Sequence, residues 1–385
     1  MRNHSEISKY AYYLTTQHLN PKKMIRKNIL LLTALSVFTL ISCKKEESNF
    51  SFDGTYIESG AAIVVNEGSF GSNNGSASFI SRNGQVSNNI FEAANGGDVL
   101  GDVFQSYSRV GNTGICVVNN SQKIVLVDAR TFKYLATISD ATKITYPRYA
   151  VAKDTNRLYV SNGSGTGTVL AIDLKTKTIA KTIAVGSGPE QMAILGNQLF
   201  VANSGGFGVD STISVISLTT ETVTNTVKVG DMPTKIVKDA QNNLWILCYG
   251  ATDYSNWPDI TKLTPTKLVK LNTSTLSVEK SFTLVPANSP SYNANLCIGD
   301  AGQTLYYSVG DEVFAMSIAA TTLPEEPLIS GREFYGLNAN PFNGELVATY
   351  APSFTQSGYV LRYSSTGTLR DSLRVGIGPN AVIFN

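Results

Sequence analysis

Two neighbouring segments of the chain, residues 158–194 and 199–237, are copies of one another. Each reads as a strand, a loop containing Asn162 or Asn203, a second strand, a turn and a third strand. Each then ends in Val-Gly-x-x-Pro, leading into the next unit at Pro189 or Pro233. One such unit cannot cover its own apolar face, so copies must stack on one another. Comparable strand starts recur at Pro147, Pro189, Pro233, Tyr292, Tyr335 and Pro379. Most lie about forty residues apart, the length of a four-stranded propeller blade. The gap from Pro233 to Tyr292 is longer and carries an insertion around residues 249–267.

The rest of the chain from residue 60 agrees with this reading. Short runs of Val, Ile, Thr and Tyr alternate with Gly, Asn, Ser and Pro, and no helical period is sustained. Charged residues make up 16% of the chain, below the roughly 25% usual in soluble proteins, which suits half-buried strands joined by small polar loops. Residues 60–95 supply a first unit without an innermost strand, while residues 380–384 (NAVIF) form a strand without a unit. An open radial array leaves two bare sheet edges, and joining these ends removes both. The predicted fold is therefore all-β: a seven-bladed propeller of four-stranded blades over residues 60–385, closed by the C-terminal strand pairing with the N-terminal blade.

The repeated segments LYVSNGSGTGTVLAIDLKTKTIAKTIAVGSGP and LFVANSGG with STISVISLTTETVTNTVKVGDMP resemble the YVTN repeats of YncE-like seven-bladed propellers. The stretch VVNEGSFGSNNGSASFI, residues 64–80, also resembles the first blade of surface-lipoprotein propellers of Gram-negative bacteria. Some of those capture cobalamin and pass it to a TonB-dependent transporter. The resemblance thus implies ligand capture, a corrinoid as one ligand and an outer-membrane transporter as partner.

The front of the chain reads as a removable signal. Arg26 and Lys27 precede a short apolar run, residues 29–41, too short for a permanent span. Leu40-Ile41-Ser42-Cys43 resembles a bacterial lipobox, which implies acylation of Cys43, a signal peptide over residues 1–42 and a lipidated tether over 43–59. Residues 1–23 are either an upstream start or an extended charged region. Several acyl chains on one residue give lasting attachment, and the acidic tag after Lys44 and Lys45 suits the outer face of the outer membrane. Cleavage at Cys43 removes six bases and one acid from 31 Lys+Arg and 29 Asp+Glu, leaving 25 against 28. A mildly acidic protein is poorly matched to nucleic acid.

Both histidines, His4 and His18, lie in the removed segment. Without imidazole the mature chain lacks a Ser-His-Asp triad, a histidine base and a histidine-ligated metal. Cys116, Cys248 and Cys297 sit in apolar runs without CxxC spacing and read as buried thiols, with a Cys248–Cys297 bridge left open.

In a propeller the loops from second to third strands share one face with the loops that enter the next blade. On that face the expected ligand contacts are Glu67, Arg148, Phe207, Tyr249, Tyr292, Arg332 and Tyr335, joined by Asp253, Tyr254 and Trp257 of the insertion. Rigid rings beside amides and a few charges suit a large, flat, partly polar ligand or a protein surface. No resident cofactor is expected. Calcium at Asp253 and Asp259 is left open, although their spacing matches no loop motif. The expected activity is binding rather than catalysis. Two alternatives are a lactonase using Glu67, Glu190 or Glu333 with Arg148 or Arg332, and an adhesion module for protein or glycan.

Overall fold

The computed structural model describes residues 55–385. The signal segment, Cys43 and most of the tether lie outside the described residues. Residues 55–59, read as tether from the sequence, run against the propeller: Tyr56 donates its backbone N–H to the Arg130 carbonyl at 2.7 Å and accepts from Asn385 Nδ2 at 2.8 Å.

Seven antiparallel sheets form the predicted seven-bladed propeller. The innermost strands of blades two to five are Phe104–Val110, Pro147–Ala152, Pro189–Leu195 and Pro233–Lys238. Those of blades six, seven and one are Ala294–Gly299, Gly336–Ala339 and Pro379–Phe384. Ring closure is as expected: Pro379–Phe384 pairs antiparallel with Ala62–Asn66, with Val64 opposite Val382 and Ile63 opposite Ile383.

Six sheets carry four strands and the sixth carries three. After Ser317 the chain runs through Pro324 and Pro327, which have no N–H to give a fourth ladder. A single bridge from Ile329 to Val313 covers part of that edge. The one-turn helix Ile90–Ala94, too short to leave a period in the sequence, buries Ile90 and Phe91 on the first blade.

The core lies in the seams between blades. Strand alternation gives each sheet two apolar faces, and each face meets the next sheet. Between blades four and five, Phe200, Ile213 and Val215 pack on Leu244, Ile246 and Leu271, all with no exposure. At about 1.5–3 kcal/mol for each buried large aliphatic side chain, such seams dominate the stability of the ring. The seam between blades one and two uses rings instead, with Tyr56 edge-on to Phe79 at 5.1 Å and to Phe132 at 5.7 Å. Cys116, Cys248 and Cys297 are buried free thiols. The Cys248–Cys297 bridge is therefore not formed, because the two side chains belong to sheets five and six and each packs into a different seam.

The repeated loop asparagines do more than cap their own loops. Asn162 accepts backbone N–H groups of Thr145 and Tyr146 at 3.0 Å each and donates to the Lys143 carbonyl at 2.9 Å, tying the second strand to the segment that enters the blade. Asn203 donates to Thr212 and Ser214 of the third strand at 3.0 Å each. This explains the glycine of Val-Gly-x-x-Pro. A Cβ on Gly186 would lie 2.6 Å from the Asn203 amide, so glycine is needed there for close approach rather than for a left-handed turn. The left-handed residue comes two positions later, at Gly188, Met232 and Gly378. Replacement of Gly186 by Ala is expected to cost about 1–3 kcal/mol of overpacking strain, read as a lower urea midpoint with unchanged m-value.

Candidate functional site

The inner strands frame a central cavity of about 510 Å³, lined by residues of all seven blades. At its loop-face end a belt of polar side chains runs round the ring. Tyr335, at the head of blade seven, donates its hydroxyl to Glu67 Oε2 at 2.6 Å, and Asn380 donates to Glu67 Oε1 at 2.7 Å and to the Gln105 carbonyl at 2.9 Å. Arg148 donates to the Gln105 side chain and, through Nε, to both oxygens of Glu190 at 3.0 and 3.1 Å. Lys235 donates to Asn295 Oδ1 at 2.7 Å, and Asn295 Nδ2 reaches the Phe334 carbonyl at 3.2 Å, returning to blade seven. Between Glu190 and Lys235 the belt is held by charge alone.

Enclosure sets the protonation tendencies of these groups. Burial raises the Glu67 carboxyl above its ordinary value, and the bonds from Tyr335 and Asn380 only partly oppose that. Burial also raises Glu190, against the pull of Arg148. The Tyr335 phenol is pushed well up by burial and then by the adjoining Glu67 charge. Burial lowers the Lys235 ammonium to about 8. Each shift follows from removing water around a charge that neighbours only partly replace.

The expected contacts divide into two tiers. Glu67, Arg148, Tyr249 and Tyr335 line the cavity. Phe207, Tyr254, Trp257 and Tyr292 are not among the cavity's lining residues; they lie in the loops with 76%, 50%, 39% and 43% of their surface exposed. Phe207 leans toward Tyr146, ring centres 5.9 Å apart, and Arg332 lies over the Tyr350 ring at 4.9 Å. Asp253 is absorbed locally: it pairs with Thr261 in a small hairpin and accepts the Ser255 N–H at 2.9 Å, which lowers its carboxyl. Among the described residues no group of three or more His, Cys, Asp or Glu is placed to hold a metal ion.

Gln105, Tyr149, Gln191, Lys235, Asn295 and Asn380 also line the cavity and were missing from the expected contacts. A signal for several was present: six of the seven inner strands have a polar residue just past the first position, as in Pro147-Arg148-Tyr149, Pro189-Glu190-Gln191 and Pro379-Asn380.

The insertion is an ordered flap. Thr252–Asp253 pairs with Thr261–Lys262, and Lys262, wholly buried, acts as its pin. Its ammonium donates to the Tyr249 carbonyl at 2.7 Å and to Thr252 Oγ1 at 3.3 Å, and lies 3.4 Å from the centre of the Tyr249 ring. With the Gly250 carbonyl at 3.5 Å, three acceptors and a ring face replace the missing counter-ion.

The chain belongs to the family described as Domain of unknown function (DUF5074), which matches residues 60–375. No curated protein matches it. Among solved structures, a quinonprotein alcohol dehydrogenase-like protein from Bacteroides thetaiotaomicron VPI-5482 is similar at a TM-score of 0.63 and 14% identity, over 86% of this chain and 79% of that one. The hydrazine synthase of Kuenenia stuttgartiensis is similar at a TM-score of 0.58 and 14% identity, over 75% of this chain and 90% of that one. At such identity the likeness concerns the fold alone.

Lys262 offers a pH test of the flap. Burial lowers its ammonium to about 8, below the unfolded-chain value, so above pH 8 the unfolded state binds the extra proton. The cost of burying the charge is fully present below pH 8 and is relieved as pH rises toward the unfolded value. The stability difference between wild type and Lys262→Met should shift in favour of wild type across that window, measured by urea unfolding on either side of pH 8. Amide exchange of residues 250–265 should be faster in the variant at every pH.

Proposed function

We propose that this chain is a binding protein that captures a small-molecule ligand at the loop-face mouth of its central cavity. The observation that carries the reading is the cavity of about 510 Å³ walled by amides and charges, in a chain whose loops also carry exposed rings that we place at its rim. Cavities of roughly 300–1,000 Å³ suit ligands of drug size. Side-chain amides from Gln105, Gln191, Asn293, Asn295, Asn338 and Asn380 line it. They complement a ligand that itself carries amides, and the rim rings offer flat apolar contact. A corrinoid has both features, a broad flat ring edged with amide arms. It would lie across the rim with arms directed into the cavity.

Attachment through an acylated Cys43 would place this mouth at the outer membrane, facing the exterior. A TonB-dependent transporter is the partner such an arrangement calls for, since tethering raises the local ligand concentration at the transporter. The same rim could instead grip protein or glycan. The single feature that favours a hydrolase is Glu67, enclosed and raised beside Tyr335. As a base it would be poised closer to neutral pH than an exposed carboxylate.

Titration calorimetry with a panel of corrinoids tests the reading. Binding is expected to weaken about tenfold, roughly 1.4 kcal/mol, in Trp257→Ala. Absence of heat with every corrinoid would remove that ligand class. Turnover of a lactone that disappears in Glu67→Gln would move the assignment to hydrolysis.

A further inference from the structure

Charges at the cavity wall are unequally matched. Arg148 is held by both oxygens of Glu190, and Glu67 accepts one bond on each oxygen from neutral donors. Lys235 differs from both. Its ammonium makes no ion pair among the described residues, and its one side-chain bond is to the neutral Asn295 amide. An ammonium has three donors, so two are left to whatever fills the cavity.

The setting amplifies this imbalance. Lys235 stands in the cavity wall with its ammonium desolvated by burial, and a charge with little water round it acts with less screening than in bulk. Glu190, the carboxylate that acts on Lys235, is already paired with Arg148. Asn295 is fixed from behind by donating to Ser308 Oγ and to the Phe334 carbonyl, at 3.2 Å each, which turns its oxygen toward the lysine. The ammonium is thereby aimed before any ligand arrives.

Lys262 shows what a buried lysine with a structural task looks like in this same chain, with three oxygen acceptors and a ring face round its ammonium. Lys235 has no comparable enclosure of acceptors, and it lines the cavity where Lys262 does not.

We propose that Lys235, oriented by Asn295, is an anion subsite inside the channel that receives a carboxylate or phosphate group of the ligand. This deepens the reading of the cavity as a ligand site and rests on it. The ligand is then a small molecule with an anionic arm that reaches the belt, whatever part of it meets the rim.

Inorganic phosphate and acetate serve as separate probes, followed by phosphorus line broadening and by proton saturation transfer in the whole protein. Wild type should bind at least one of them, and the two probes distinguish a phosphate from a carboxylate preference. Lys235→Met should weaken that binding about tenfold, and Lys235→Arg should restore most of it. Thermal unfolding of Lys235→Met should match or exceed wild type, because a desolvated cation is replaced by an apolar side chain of similar size. No binding of either anion by wild type, or equal binding by folded Lys235→Met, would overturn the subsite. Anion binding through Lys235 without corrinoid binding would keep the subsite and remove the corrinoid. Corrinoid binding unaffected by Lys235→Met, with no anion bound, would do the reverse.

Discussion

The pairing of Pro379–Phe384 with Ala62–Asn66 decides which residues of this chain become neighbours. Without it the molecule would be an open arc with two unpaired strand edges. With it, Glu67 from one end of the domain meets Asn380 from the other, 313 residues away, and Tyr335 closes on the same carboxylate. The cavity mouth is thus a consequence of closure, since part of its wall exists only when both chain ends share a sheet.

The seams and the belt divide the work between them. Apolar packing between sheets supplies stability without regard to direction, whereas the belt is directional and asks each blade to present one polar group at one height. Such a network is favourable only when its members are satisfied. Most of this one is: Glu67 has a donor on each oxygen and Arg148 has two partners. Lys235 is the charged member whose satisfaction is incomplete, as Asn380 Oδ1 is among the neutral ones, and incompleteness beside a cavity is what a ligand can complete.

The blade count and the closing strand were legible because propeller units repeat in sequence and because an unpaired edge is physically costly. The sixth blade's missing strand was not legible as such, since Pro324 and Pro327 look like turn residues until the ladder they cannot join is known. The rim rings, Phe207, Tyr254, Trp257 and Tyr292, could be placed on one face from strand order alone. The cavity amides Gln105, Gln191 and Asn295 could not. Gln191 and Asn295 sit inside strands, and which of two alternating positions faces the axis depends on register breaks such as the one between Pro189 and Met192. The role of Lys262 was equally hidden, because a lysine in a polar loop looks solvated until its acceptors are brought round it.

Amide hydrogen exchange of residues 379–384 and 62–66 tests closure most directly. If the ring is closed as described, both segments exchange together and as slowly as the inner strands of the other blades, because opening either one opens the whole array. Rapid exchange of residues 379–384 while 62–66 stays protected would contradict it. The shared sheet, and the mouth that depends on it, would then not exist in solution.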